Sequence, residues 1–297
     1  MAFRIGQTLS SLLIDWLGKD FDITESPLCD FERIRTELQP GDVLLVETHT
    51  RVSHLVRLIT QSTWSHAALY VGRLQDIDDS LLKQTISERY LCEPDTQLLI
   101  ESVLGQGIVV TPLSFYQREH LRVCRPRGIS AKDAKEVIYY AASKLGHGQD
   151  QHTILDLLRL SLPWFFLPKS IRNYFFEKTA GRVTRLILST MIAEAFGFIQ
   201  FPILPLVKQT RGDGIQLYRR NPILCAPKDF DQSPYFEILK FPFVDYSTHD
   251  SYDLLPWRGS GIPGEELGQI EYKTHTSLQD EYKQKELLTN DLKNNEN

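Results

Sequence analysis

The sequence predicts a fold of the α+β class, in which a series of strands is followed by helices. Apolar, strand-like runs occur in "DVLLVE", "HAALYVGRL", "QLLIESVLGQGIVVTPL" and "LRVCRPRG". A turn at Pro40-Gly41 precedes the first run, and Gly105 and Gly107 mark a turn that divides the third run into two strands. The first long helical pattern begins only after these runs, at Ser130.

The helix after Ser130 has the clearest limits. Ser130 is a suitable N-cap residue, Asp133 lies in the first turn, and Gly146 is a stop signal. Its apolar face consists of Ala134, Val137, Ile138, Ala141 and Leu145. This spacing predicts a helix packed on the core.

Shorter patterns predict the remaining helices. "HLVRLIT" is expected to form a short helix and "RLILSTMIAEAFGF" a buried one. An amphipathic helix is predicted within residues 1–20 from the spacing of Leu9, Leu12, Leu13, Trp16 and Leu17. Residues 75–95 are expected to be irregular, and "FPILPL" and "DFDQSPYFEIL" are expected to wrap around the core.

The length of 297 residues is large for one domain and small for two, which favours one core with appendages. We expect an N-terminal helix and linker over residues 1–37 and a folded domain over 38–245. Residues 246–297 are polar and are expected to form a disordered tail, apart from a helix around "LQDEYKQKELL".

Charge and cysteine content exclude some function classes. The net charge of −5 and the pI near 5.9 give no electrostatic reason to expect nucleic-acid binding. The four cysteines are scattered without a CxxC pair, which predicts reduced thiols and no metal site. No secretory signal pattern and no apolar run of about 18 residues is present. We therefore expect a cytoplasmic protein without a metal or an organic cofactor.

His66 is the first candidate for catalysis, because it stands at the head of an apolar strand that would hold its backbone rigidly. A thiol or hydroxyl nucleophile needs a base within hydrogen-bond reach, and the base needs a third group to orient it. Glu101 ends the run "QLLIE" and could be presented beside His66 by a neighbouring strand. The alternative is a buried histidine with a structural role only.

A series of segments in this sequence resembles the YiiX-like permuted papain-like proteins, bacterial relatives of the NlpC-type cell-wall peptidases. The matching segments, in order, are "PGDVLLVE", "TQSTWSHAALYVG", "LLIESVLGQGIVVTPLSFY", "RVCRP", "STMIAEAF", "FPILP" and "DFDQSPYFEI". They cover about residues 38–240. The resemblance implies a circularly permuted papain-like fold, with an antiparallel, barrel-like sheet packed against helices.

The resemblance also implies roles for residues. In this family the histidine comes first, then an acidic or polar residue, then a cysteine nucleophile at the start of a helix, and the activity is hydrolysis of an amide or ester. By position, His66 would be the general base and Glu101 its orienting partner. The three elements are expected to meet in a shared cleft.

The sequence departs from the family pattern at the nucleophile. Where "ICSTMIAEAF" is expected, this chain reads "LILSTMIAEAF", so Leu188 occupies the cysteine position. Leucine has no group that ionises or attacks. Ser189 is a possible substitute, but one helical step rotates its side chain by about 100°. If the register of the helix is shifted by one residue, Ser189 itself stands in the cysteine's place.

Three functions follow from this reading. The first is an amide or ester hydrolase impaired at Leu188, acting through Ser189 or an unanticipated nucleophile. The second is a pseudoenzyme that binds a small-molecule, lipid or peptide ligand carrying an acyl or amide group, or a partner protein. The third is a membrane-surface protein that uses the N-terminal helix and "LPWFFLP" for peripheral contact. The oligomeric state is left open.

Overall fold

The computed structural model describes residues 29–147, 189–210 and 214–242, together with 261–262 and 270–271. The chain divides into two compact units, Met1–Phe243 and Val244–Asn297. The described elements of the first unit are, in order, α1 (Phe31–Glu37), β1 (Val43–Glu47), α2 (Arg51–Thr60), β2 (His66–Arg73), α3 (Ser80–Ser87), β3 (Gln97–Val103), β4 (Gly107–Pro112), β5 (His120–Pro126), α4 (Ala131–Ser143), α5 (Thr190–Phe198), β6 (Leu206–Thr210), β7 (Gly214–Tyr218), α6 (Pro227–Gln232) and β8 (Phe236–Leu239). The second unit contains the antiparallel pair β9 (Gly261–Ile262) and β10 (Ile270–Glu271).

The central sheet has six antiparallel strands in the order β4-β3-β2-β1-β5-β8. Helices pack against it, so the predicted α+β class is confirmed. The expectation of a barrel-like sheet is wrong for the described residues, because β4 and β8 form opposite edges and no ladder joins them. Closure into a barrel requires every strand to be paired on both sides.

The sheet separates two apolar cores, because neighbouring side chains of a strand point to opposite faces. One face, here called the α5 face, presents Leu45, Ala67 and Leu69 to a core shared with α4 and α5. The other, the α1 face, presents Leu44 and Ala68 to a core shared with α1 and with the 3₁₀ turn Leu113–Tyr116. Each strand therefore contributes side chains to two different environments.

Most predicted elements are present. The strand after Pro40-Gly41 is β1, the glycine-containing turn joins β3 to β4, and "HLVRLIT" lies in α2. The helix α4 begins after the predicted N-cap Ser130, whose Oγ accepts a hydrogen bond from the backbone N–H of Asp133 at 3.1 Å. Gly146 follows this helix with a φ of +78°, a left-handed conformation that suits glycine.

Residues 75–95 are not wholly irregular, contrary to expectation, since they contain α3. The carboxylate of Asp79 accepts hydrogen bonds from the backbone N–H groups of Leu81 and Leu82, which starts the helix. Leu82 and Ile86, four residues apart, are its buried side chains. Two buried positions in eight residues are too few to establish a helical period from the sequence.

Several expectations lie outside the described residues: the N-terminal amphipathic helix, the "LPWFFLP" segment, Leu188 and the helix around "LQDEYKQKELL". Residues 31–37, placed in the predicted linker, form α1 and bury Ile34. None of the described helices has the length and apolar character needed to cross a membrane.

An aromatic cluster joins α5 to the β8 edge of the sheet. It consists of Phe196, Phe201, Phe230 and Phe236. Phe196 contacts the other three rings, with centroids 5.3–6.5 Å away, and it is fully buried. Aromatic pairs at these separations add to the stabilisation from burial alone.

We expect Phe196→Ala to lower the free energy of unfolding by about 3–5 kcal/mol, because it leaves a cavity among three rings. Phe198→Ala on the same helix is the matched control, since Phe198 is 59% exposed, and it should cost less than about 1 kcal/mol. Urea unfolding of both variants measures the difference. Equal losses would contradict the role given to the cluster.

Candidate functional site

The register between β2 and β3 brings His66 and Glu101 together. Ala68 lies opposite Glu101 in the antiparallel ladder, so the two side chains share a face of the sheet. His66 is two residues before Ala68 and therefore projects from the same face, diagonally adjacent to Glu101. This is the α1 face, to which Ala68 contributes.

Residues just before His66 hold the start of β2 in place. The backbone N–H of Ser65 donates to the carbonyl oxygen of Val46 at 3.2 Å. The hydroxyl of Ser65 accepts from the backbone N–H of Thr48 at 2.9 Å, and the side chain of Trp64 is buried in the core of the α5 face. These contacts hold the backbone at the start of β2 in place, and His66 is the first residue of that strand.

Glu101 is the centre of a buried hydrogen-bond network. Its Oε2 atom pairs with Nε2 of His66 and accepts a hydrogen bond from the hydroxyl of Tyr116 at 2.5 Å. The Thr111 side chain also hydrogen-bonds the carboxylate. The side chains of His66 and Glu101 are 8% and 1% exposed. No sequence pattern indicates Tyr116 or Thr111, because their contacts with Glu101 join the 3₁₀ turn Leu113–Tyr116 and β4 to β3.

This network keeps the carboxylate ionised. Burial by itself would raise the pKa of Glu101, but attraction to His66 and the hydrogen bonds from His66, Thr111 and Tyr116 outweigh it. The pKa of Glu101 therefore lies below its ordinary value. Burial and the adjacent Glu101 carboxylate raise the pKa of Tyr116 well above its ordinary value, so Tyr116 stays a hydrogen-bond donor.

The Glu101 carboxylate can hold the His66 imidazole in one orientation. With Nε2 bound to Glu101, the other ring nitrogen of His66, Nδ1, makes no hydrogen bond with any residue in the described ranges. A carboxylate partner holds the ring in one orientation and fixes which ring nitrogen faces away from it. The arrangement can therefore present Nδ1 to a ligand, either as a base or as a hydrogen-bond donor.

Ser189 does not join this pair. It is the N-cap residue of α5, it is fully buried, and its hydroxyl donates to the carbonyl oxygen of Cys225 at 3.0 Å. The helix α5 packs on the α5 face of the sheet, whereas His66 and Glu101 project from the α1 face. The structure thus brings two of the predicted residues together and places Ser189 in a different contact.

The buried cysteines are not activated. Burial raises the pKa of Cys29, Cys124 and Cys225, so these thiols remain protonated near neutral pH. Cys124 is fully buried in the core of the α5 face. Over the described part of the chain, no three His, Cys, Asp or Glu side chains are grouped so that they could hold a metal ion.

The ionised state of Glu101 gives a pH signature. Because its pKa in the fold is lower than its ordinary 4.5, it contributes stability above pH 4.5 that is lost as the pH falls through the lowered value. Glu101→Gln should therefore reduce the free energy of unfolding by about 3 kcal/mol near neutral pH. The difference from the unsubstituted chain should shrink in acid.

Urea unfolding at a series of pH values measures this effect. Glu136→Gln is the matched control, since Glu136 is an exposed helical carboxylate, and it should change stability little at any pH. If Glu101→Gln lowers the free energy of unfolding by the same amount at every pH, the negative charge of Glu101 does not contribute to the stability.

A comparison of the chain with protein-family models found no match, and neither did a comparison with curated proteins. The likeness to the YiiX-like proteins accordingly stands on the segments quoted above. Any function that this likeness implies for the chain is therefore a proposal.

Proposed function

We propose that this chain is a YiiX-like, permuted papain-like protein that binds an acyl- or amide-bearing ligand without hydrolysing it. The observation that carries the proposal is that His66, the expected base, and Ser189, the possible nucleophile, are each hydrogen-bonded to another residue and not to each other. His66 is engaged by Glu101 on one face of the sheet, while the hydroxyl of Ser189 is engaged by Cys225. Leu188, in the position of the family's nucleophile, has no group that can attack.

The retained residues suit binding. In its protonated form the His66 ring can donate a hydrogen bond from Nδ1 to the carbonyl oxygen of an ester or amide while Nε2 stays bound to Glu101. Tyr116 and Thr111 hold the carboxylate, so the ring needs little reorganisation when a ligand arrives. Cleavage would need, in addition, a nucleophile that gives its proton to His66.

The ligand class follows from this chemistry. A carbonyl oxygen is the acceptor that Nδ1–H fits, and it occurs in small-molecule, lipid and peptide amides and esters alike. The apolar side chains of the α1 face, such as Leu99 and Leu121, surround the pair with a low-polarity environment. A hydrogen bond from a charged donor is stronger there than in water.

A fluorophosphonate acyl probe tests whether Ser189 attacks. We expect the chain to take up no more probe than Ser189→Ala does, because the Ser189 hydroxyl is hydrogen-bonded to Cys225 rather than to a base. In-gel fluorescence of the two proteins after equal exposure gives the comparison. Labelling that disappears in Ser189→Ala would contradict the proposal and establish a serine hydrolase.

Restoring the thiol tests whether the site otherwise matches the family. Although α5 packs on the opposite face of the sheet from His66, a family-like arrangement requires residue 188, just before α5, to reach the ring at the start of β2. If it does, Leu188→Cys should create hydrolysis of a p-nitrophenyl ester that iodoacetamide abolishes, because a helix start and an adjacent imidazolium lower the pKa of a thiol. Adding His66→Gln to this variant should reduce the rate by about 100-fold or more, the usual contribution of a general base.

The control for that experiment is Leu188→Ser, which adds a weaker nucleophile of similar size and should give little activity. If Leu188→Cys hydrolyses the ester no faster than the unsubstituted chain, residue 188 is not beside His66. The assignment of the chain to a permuted papain-like arrangement would then fail.

A further inference from the structure

The β6–β7 hairpin exposes an unusual amount of apolar surface. Five of its apolar side chains are between 48% and 71% exposed: Leu206, Val207, Ile215, Leu217 and Tyr218. Every side chain described in the two strands is exposed. An isolated two-stranded ribbon is only marginally stable in water, and exposed apolar patches mark interaction sites. This surface is therefore expected to have an occupant.

The register concentrates the apolar side chains. Val207 lies opposite Leu217, and Ile215 is two residues before Leu217, so these three share one face of the hairpin. Leu206 and Tyr218 lie opposite each other on the other face. Both faces of the ribbon thus carry contiguous apolar surface.

The charges on this hairpin have one sign. Lys208 lies in β6, and Arg219 and Arg220 follow β7, while no acidic residue occurs among the described residues 206–210 and 214–220. Arg220 pairs with Asp229 at 3.6 Å, whereas Lys208 and Arg219 form no ion pair with a described residue. The connecting residues 211–213 add one arginine and one aspartate, which leaves the local balance positive in a chain of net charge −5.

The apolar surface continues beyond the hairpin. Leu217, Tyr218 and Arg219 line one side of a cleft of about 630 Å³, and Phe198 and Phe201 line another. Phe198 is itself 59% exposed. The cleft extends the apolar patch from the ribbon to the end of α5, and its charged lining residues are Arg219, Arg220, Glu194 and Asp229.

We propose that the β6–β7 hairpin docks on the surface of an anionic lipid bilayer. The apolar side chains would enter the boundary between headgroups and acyl chains, and Lys208 and Arg219 would contact headgroup phosphates and carboxylates. A second copy of the chain is a poorer occupant, because like hairpins would bring their cations together. This site is on a different part of the unit from His66, and it is independent of the proposed ligand binding.

Co-sedimentation of the full chain with vesicles tests the proposal. We expect binding to vesicles of phosphatidylcholine with phosphatidylserine, weakened by salt, and little binding to phosphatidylcholine alone. Lys208→Gln with Arg219→Gln should weaken binding by about fivefold per cation removed. Val207→Ser with Ile215→Ser and Leu217→Ser should weaken it by about tenfold or more.

The matched control is Leu91→Ser with Phe115→Ser, which removes apolar side chains that are 94% and 72% exposed outside the hairpin. It should bind as the unsubstituted chain does. The two-cation variant keeps the apolar residues, so it tests the surface even if the triple serine variant does not fold, which circular dichroism monitors.

Three results would overturn the proposal. One is no binding of the unsubstituted chain to anionic vesicles. Another is unchanged binding by the two-cation variant and by the folded serine variant, which would assign the contact to another segment. The third is a dimer in sedimentation velocity that the serine substitutions disperse, which would make the hairpin an interface between copies.

Discussion

The register of β2 against β3, in which Ala68 lies opposite Glu101, determines which side chains of the two strands share a face. A slip of one residue would place Glu101 on the α5 face and leave His66 on the α1 face without its partner. The register is specified strongly, because both faces of the sheet are covered by apolar cores that a slip would expose. The same burial that stabilises the sheet therefore positions the pair.

The His66–Glu101 pair has an energetic cost that the rest of the network offsets. Removing a carboxylate and an imidazole from water is unfavourable, and a buried pair of such groups alone often contributes little net stability. Here Tyr116 and Thr111 add hydrogen bonds to the carboxylate, which satisfies a group that is 1% exposed. Apolar side chains of similar volume would avoid that cost.

Local patterns in the sequence were enough to predict much of the fold. β1 follows a Pro-Gly turn, α4 begins at an N-cap serine, and His66 and Glu101 lie on paired strands as their flanking apolar runs suggested. The short helix α3 was missed, because two buried positions do not establish a period. The expected barrel-like closure was wrong, since the six-stranded sheet is open. Closure depends on whether the two edge strands pair with each other, which no local sequence pattern encodes.

The candidate site was less predictable, since it depends on contacts between residues distant in sequence. Tyr116 reaches Glu101 from a 3₁₀ turn, and nothing in "PLSFY" indicates that contact. The direction of the Ser189 hydroxyl follows from the position of Cys225, 36 residues later. Spacing along the helix could only suggest that Ser189 points away from a nucleophile at 188.

The proposed function requires that no nucleophile lies beside Nδ1 of His66, and no hydroxyl or thiol of the described residues is hydrogen-bonded to that atom. The separation between Nδ1 of His66 and Oγ of Ser189, measured in a crystal structure of this chain, tests it most directly. We predict a separation well beyond the roughly 3.2 Å of hydrogen-bond reach, with Oγ bonded to the carbonyl oxygen of Cys225 and Nε2 to Glu101. A hydrogen bond between Nδ1 and Oγ would contradict it.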